Sequence, residues 1–169
     1  MLDQFRPRKL AEDNVELLDT KEITQDLKVE LPQSVEDLLQ FFDGAIVFEK
    51  RASFPATHSI FSDEDGMLDL EVLYGRSNGF WGIVAANKRY TEYLPVGSLA
   101  IGEVAGGNVI GVSLKTGAVF LFIHDELRPS DAIETLYLSI DEFWSALEIG
   151  DEKRDIDTGV DYEKLEWKL

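Results

Sequence analysis

Three short apolar runs in the second half of the chain constrain the fold most strongly. They span Ser98–Gly102, Asn108–Leu114 and Ala118–His124. The gaps between them, residues 103–107 and 115–117, contain glycine, which readily adopts the positive φ angles of hairpin turns. Short apolar runs joined by such gaps are typical of strands that pair with their neighbours in sequence. The pattern therefore predicts an antiparallel meander.

Further strand signals lie outside this meander. From residue 68 to residue 74, apolar residues occupy every second position, which is the period of a half-buried strand. Three more segments are predicted as strands: 46–49, 54–61 and 134–138. The segment 80–86 stays ambiguous, because its residues suit a buried strand or a buried helix equally well.

Side-chain caps mark three helices. Thr20 is expected to cap the first one. Ser34 with Asp37 opens the second, and Ser139 with Glu142 forms a capping box for the last. Helices, then strands, then a closing helix indicate an α+β fold, with an antiparallel meander flanked by helices, rather than a βαβ series.

The length and composition suit one domain. The chain has 169 residues, of which 44% are hydrophobic, so it can bury a sizeable core. We expect a single domain over residues 20–149. Residues 1–19 are expected to form a loosely structured N-terminal segment, and residues 150–169 an acidic C-terminal tail.

Charge is the dominant feature of the composition. There are 33 acidic and 16 basic residues, which gives a formal net charge of −17. Direct binding of nucleic acid needs a basic face, so that class of function is excluded. Residues 76–124 contain four basic and two acidic residues, whereas residues 125–169 carry a net charge of −9. The acidic excess serves solubility, or it attracts a basic partner.

Several other classes of function are excluded by composition. The chain has no cysteine, so disulfides, thiolate chemistry and cysteine-ligated metals are ruled out. The two histidines, His58 and His124, are far apart in sequence, and we expect no metal site and no cofactor. The longest stretches without charge are about eleven residues, too short for a membrane helix. The N-terminus shows no apolar signal region, so we expect a cytoplasmic protein.

Two clusters of residues are candidates for a binding site. Asp63, Glu64 and Asp65 form a compact acidic turn, which is a solvated turn or a patch that contacts a partner. The turn lacks the spacing of a calcium loop. The aromatic residues 80, 81, 90 and 93 pack in the core or anchor an interface, since Trp and Tyr concentrate binding energy.

A succession of short motifs extends over about residues 20–149. It consists of Ile23, Leu31-Pro32, Ser34, Leu38-Leu39, Phe42-Asp43-Gly44-Ala45, Ile83, Asn87, Tyr90, Leu94-Pro95, Ile101-Gly102, Gly106-Gly107-Asn108, Leu114, Gly117, Val119-Phe120, Ser139, Glu142-Phe143 and Leu147. In this order the motifs resemble those of the SUKH superfamily, which includes cell-wall assembly regulators and bacterial immunity proteins. Asp43 and Ala45 stand where the family usually has Asn and a second Gly. Because the middle motif is helical in that family, residues 78–90 are expected to be a helix.

The resemblance implies a binding domain rather than an enzyme. Bacterial members are immunity proteins that neutralise a cognate toxin, often a nuclease, and fungal members are regulators of cell-wall assembly. We therefore expect a bacterial immunity protein that binds a basic toxin domain through an acidic surface, with a regulatory scaffold as the alternative and a homodimer left open. The predicted partner-binding residues are Asp63, Glu64, Asp65, Trp81, Glu92, Tyr93 and Glu103.

Overall fold

The computed structural model describes residues 2–10, 12, 15–41, 43–56, 59, 62–126 and 132–149. The predicted acidic tail 150–169, His58, Phe42 and the end of the predicted strand 54–61 lie outside these residues. Within the described part of the chain, the helices are too short to span a bilayer as apolar segments.

The described residues form four α-helices and eight β-strands. The helices are α1 (Thr20–Leu27), α2 (Gln33–Phe41), α3 (Ile83–Tyr90) and α4 (Ile140–Ala146). The strands are β1 (Pro7–Lys9), β2 (Ile46–Pro55), β3 (Met67–Leu73), β4 (Ser98–Val104), β5 (Val109–Ser113), β6 (Val119–Phe122), β7 (Ile133–Tyr137) and β8 (Glu148–Ile149). Short 3₁₀ turns cover Leu2–Phe5 and Ala105–Gly107.

All strands belong to one antiparallel sheet. Its order is β1-β2-β3-β4-β5-β6-β7, and β8 pairs with the second half of β2. Every strand from β2 to β7 thus lies next to its neighbour in sequence, even though α3 is inserted between β3 and β4. Gly106, Gly107 and Gly117 have φ angles of 82°, 75° and 77° in the two turns of the central meander. The prediction of an α+β fold built on an antiparallel meander is confirmed.

The sheet curves so that β2 and β7 come together beneath α4. This helix packs against both β2 and β7. The ring of Phe143 on α4 lies 5.1 Å from that of Phe54 and 5.7 Å from that of Tyr137, measured between centroids. The Tyr137 hydroxyl donates a hydrogen bond of 2.7 Å to the carbonyl oxygen of Pro55. These contacts close the core between β2 and β7.

Because of Tyr137, the stability of the closed core is expected to depend on pH in the alkaline range. Burial, and secondarily the charge of Glu148, raises the pKa of the Tyr137 phenol to about 12. Unfolded tyrosine ionises near pH 10, so between about pH 10 and 12 the unfolded chain loses a proton that the folded one keeps. We expect the free energy of unfolding, measured by urea denaturation, to fall across this window. Tyr137→Phe should flatten the fall, and an equal fall in the variant would contradict the assignment. Part of the slope will remain, because burial also raises the pKa of Tyr74.

The N-terminal segment is better ordered than expected. Leu2 and Phe5 are buried, and β1 extends the sheet by pairing Pro7 with Phe48. Where the sequence predicts a loosely structured segment over residues 1–19, residues 2–9 form a 3₁₀ turn and a paired strand. The sequence of β1, Pro-Arg-Lys, has no apolar alternation that would predict a strand. The segment is a strand because its backbone pairs with the edge of β2.

The predicted break between residues 49 and 54 is also absent. One strand, β2, replaces the two predicted ones, and its pairing with β3 shifts register between Val47 and Ala52. The polar residues Glu49, Lys50 and Arg51 lie in this irregular stretch, where the pairing with β3 is interrupted. They interrupt the apolar pattern without ending the strand.

The starts of α1, α2 and α3 differ from the predictions by one to five residues, whereas the start of α4 agrees. The first helix is capped by Asp19 rather than Thr20, because Asp19 and Glu22 bond to each other's backbone N–H groups at 2.8 and 2.7 Å. The helix expected over residues 78–90 begins only at Ile83. Ser139 caps α4 as predicted and accepts from the Glu142 N–H at 3.1 Å.

Candidate functional site

The acidic turn, residues 63–65, is folded by one of its own carboxylates. One oxygen of Asp63 accepts hydrogen bonds from the N–H groups of Met67 at 2.8 Å and Asp65 at 3.0 Å. The other oxygen lies 2.9 Å from the guanidinium of Arg51. The Met67 bond first, and then Arg51, lower the pKa of Asp63. Asp63 therefore shapes the turn, whereas Glu64 and Asp65 present exposed carboxylates to solvent.

Arg51 ties this turn to the sheet. Its guanidinium also pairs with Asp69 on β3, which in turn accepts a 2.8 Å hydrogen bond from the buried Ser53 hydroxyl. The hydrogen bond to Asp69 is the main cause of the raised pKa of Arg51. Among the described residues, no three His, Asp or Glu side chains are placed to hold a metal ion together. The cluster holds the acidic turn in one shape against the sheet.

A second candidate region, the aromatic surface, surrounds the ends of α3. It consists of Phe80, Trp81, Arg89, Tyr90 and Tyr93. The Arg89 guanidinium carbon lies 4.1 Å from the ring centroid of Phe80 and 5.1 Å from that of Tyr90. Arg89 also donates to the Phe80 carbonyl at 3.1 Å, and the Phe80 ring stands edge-on to Trp81 at 5.0 Å. Arg89 thus holds Phe80 in place with 59% of that residue still exposed.

Glu103 lies beneath this surface and anchors it to the sheet. Its side chain is only 14% exposed, and one carboxylate oxygen accepts a 2.6 Å hydrogen bond from the Tyr74 hydroxyl. The same oxygen lies 3.4 Å from the Tyr90 hydroxyl and 3.5 Å from Arg89. Burial and then the hydrogen bond to Glu103 raise the pKa of Tyr74. Glu103 is thus a positioning residue that neutralises the charge of Arg89.

Tyr93 forms the outer end of the aromatic surface. It follows α3 and stacks on the buried ring of Phe122 from β6, with centroids 6.3 Å apart and an angle of 29°. Tyr90 contacts the same Phe122 ring edge-on at 6.3 Å. Tyr93 nevertheless remains 64% exposed, and its neighbour Glu92 is exposed as well. One ring face is therefore supported from below while the side chain as a whole stays accessible.

The loop that carries Phe80 and Trp81 is held by the segment before α1. The carboxylate of Glu12 accepts from the Trp81 N–H at 3.1 Å and from the Ser77 hydroxyl at 2.6 Å. The backbone of Asn78 donates to the Glu16 carbonyl at 2.9 Å, and its side chain accepts from the Glu16 N–H at 3.0 Å. The N-terminal segment thereby fixes the entry into α3.

Asn87 fixes the helix itself to the sheet. Its amide donates to the carbonyl oxygens of Ile83 at 2.8 Å and Ala100 at 2.9 Å, and its side-chain oxygen accepts from the Ala100 N–H at 2.8 Å. Neighbouring β3 ends at Leu73, which pairs with Gly102, so Asn87 bonds the Ala100 backbone as a further strand residue would. The buried side chain therefore fixes the position of α3, and with it the aromatic surface, relative to β4.

A protein-family model matches most of the chain. The model described as the SMI1 / KNR4 family (SUKH-1) matches residues 15–146. The chain belongs to the SMI1/KNR4 (SUKH-1) family. The resemblance inferred from the sequence is thereby confirmed. Searches of curated proteins and of solved structures found no match to this SUKH-1 domain.

The seven predicted site residues of the SUKH-1 domain lie in two separate places. Trp81, Glu92, Tyr93 and Glu103 lie on or under the aromatic surface, and the other three form the acidic turn. The turn precedes Met67 at one end of β3, whereas Glu103 pairs with Val72 near the other end. At about 3.3 Å per residue, roughly 15 Å of strand separates the two regions.

Sequence reasoning did not find four residues that shape the aromatic surface. They are Arg89, Glu12, Tyr74 and Phe122. Their partners lie far away in sequence, as with Glu12 and Trp81, which are 69 positions apart. No local period connects such residues, so only the fold brings them together.

Proposed function

We propose that this SUKH-1 domain is a bacterial immunity protein that binds a basic toxin domain and occludes its active site or substrate groove. It has no catalytic step of its own and acts in the cytoplasm. The observation that carries the proposal is the set of exposed carboxylates on a chain of net charge −17, Glu64, Asp65 and Glu92 among them. Membership of the SUKH-1 family supports a binding role, because the superfamily includes both immunity proteins and cell-wall assembly regulators.

Electrostatics supports a basic partner. A nuclease groove is basic because it binds phosphates, and an acidic protein surface competes for the same positive potential. Opposite net charges also speed the diffusional encounter of two proteins. Arg51 and the backbone bonds of Asp63 hold the acidic turn in one shape, so little conformational entropy is lost there on binding.

The partner can be identified by capture. The full chain serves as bait in a lysate of the source cells, and the bound proteins are identified by mass spectrometry. We expect one protein with a basic C-terminal domain that is toxic when expressed alone and harmless when co-expressed with the bait. Recovery of cell-wall or other host regulatory proteins without a toxin would instead support a regulatory scaffold and contradict the immunity function.

A charge-matched pair of variants tests the acidic surface in the same experiment. The triple variant Glu64→Gln, Asp65→Asn, Glu92→Gln leaves Asp63 intact, because Asp63 folds the turn. The control removes three exposed acids elsewhere: Asp3→Asn, Glu30→Gln and Asp141→Asn. We expect the association rate with the captured partner to fall by roughly tenfold more in the first variant than in the control. Equal association rates for the two variants would contradict recognition of the partner through Glu64, Asp65 and Glu92.

A further inference from the structure

We propose that the aromatic surface receives an arginine side chain of the basic partner, stacked on the accessible side of Tyr93 next to Glu92. This inference rests on the proposed function, because it names the group by which the partner is recognised. The two candidate regions then have different roles. The acidic turn attracts the partner, and the aromatic surface holds it.

The first support is the exposure of rings that are already fixed. Tyr93 is 64% exposed and Phe80 59% exposed, yet each ring packs against a neighbour. Tyr93 stacks on Phe122, and Phe80 is covered on one side by Arg89. Rigid, half-exposed aromatic side chains are the typical anchors of protein interfaces, since they lose little rotamer freedom on binding.

The second support is a contact of the same kind within the surface. Arg89 places its guanidinium 4.1 Å from the Phe80 centroid and within 5.1 Å of the Tyr90 centroid. Guanidinium groups are attracted to the faces of aromatic rings by the ring quadrupole. Tyr93 offers a ring of the same kind four residues after Arg89, with its inner face supported by Phe122.

The third support is the local charge. The buried Glu103 carboxylate lies 3.5 Å from Arg89 and neutralises it, so Arg89 does not repel an incoming cation. Glu92 is exposed beside Tyr93 and supplies a carboxylate within the same surface. With Arg89 paired to Glu103, the exposed charge next to Tyr93 is the carboxylate of Glu92, which favours a cationic occupant over an anionic one.

The test uses a defined probe, the peptide acetyl-Gly-Arg-Gly-Arg-Gly-amide, titrated into the ¹⁵N-labelled full chain in 0.3 M NaCl. At this ionic strength weak contacts with scattered surface acids are screened. We expect the largest shifts of NMR signals at Glu92, Tyr93 and Phe80. Tyr93→Leu should weaken peptide affinity by roughly twofold to fivefold, and Tyr93→Phe should preserve it, because Phe keeps the π face that Leu lacks.

A matched control removes an exposed apolar side chain elsewhere. Leu138 is 75% exposed and follows β7, so Leu138→Ala should leave peptide affinity unchanged. The inference is overturned if the largest shifts fall at Glu64 and Asp65, if the peptide does not bind, or if Tyr93→Leu binds as the wild type does. These outcomes are separable from failure of the immunity function, which is decided by the captured partner and not by the peptide.

Discussion

Replacing Asn87 by alanine is expected to lower the free energy of unfolding by about 2–5 kcal/mol. The side chain makes three hydrogen bonds, two of them to the N–H and carbonyl groups of Ala100. Both residues are buried, so water cannot replace the lost partners. Each buried backbone group left without a partner destabilises the fold by about 1–3 kcal/mol. Urea unfolding monitored by circular dichroism measures the change.

The neighbouring Lys88 provides the control for Asn87. It lies on the same helix, is exposed, and makes one exposed ion pair with Asp26 at 3.3 Å. Such pairs contribute about 0–1 kcal/mol, so Lys88→Ala should change stability by no more than that. If Asn87→Ala were as mild as Lys88→Ala, then α3 would not be fixed to β4 through Asn87. The presence of Asn87 among the residues that resemble the SUKH superfamily would then need another explanation.

Replacing Phe143 by alanine is expected to lower the free energy of unfolding by about 3–5 kcal/mol. The ring is fully buried on α4 and contacts the rings of Phe54, Tyr137 and Trp144. Its removal leaves a cavity where β2 and β7 meet, and the neighbouring rings can fill it only in part. The urea midpoint should fall without a change in the slope of the transition.

Two further variants separate the role of the Phe143 ring from that of the helix. Ser145 is exposed on α4, so Ser145→Ala should stay within about 0.5 kcal/mol of the wild type. Phe143→Leu keeps most of the apolar volume and should recover part of the loss. If Phe143→Ala unfolded at the same urea concentration as Ser145→Ala, the closure of the core beneath α4 would be contradicted.

The strands that could be predicted are those with a pattern of their own. The central meander follows from glycine turns and apolar runs, and β3 follows from alternation, so both were predicted close to their true bounds. By contrast, β1 and β8 are three and two residues long. They exist because β2 offers unpaired backbone on that side, which is a property of the assembled sheet. No sequence window contains that information.

The candidate site shows the same division between local and tertiary information. Composition and the known preferences of Trp, Tyr and Asp were enough to select the acidic turn and part of the aromatic surface. They could not show that Asp63 folds the turn or that Glu103 lies beneath Arg89 rather than in solvent. Those roles depend on partners from other strands and helices, which the sequence places far apart.

Binding of a basic partner is tested most directly by the salt dependence of its association rate. Stopped-flow or surface plasmon resonance can follow the captured partner and the full chain between 0.1 and 1 M NaCl. The Debye length falls from about 10 Å to about 3 Å over this range. A chain of net charge −17 that is steered towards a basic partner should then associate roughly tenfold or more slowly at the higher salt. An association rate constant that does not change with salt would contradict an acidic surface as the means of recognition.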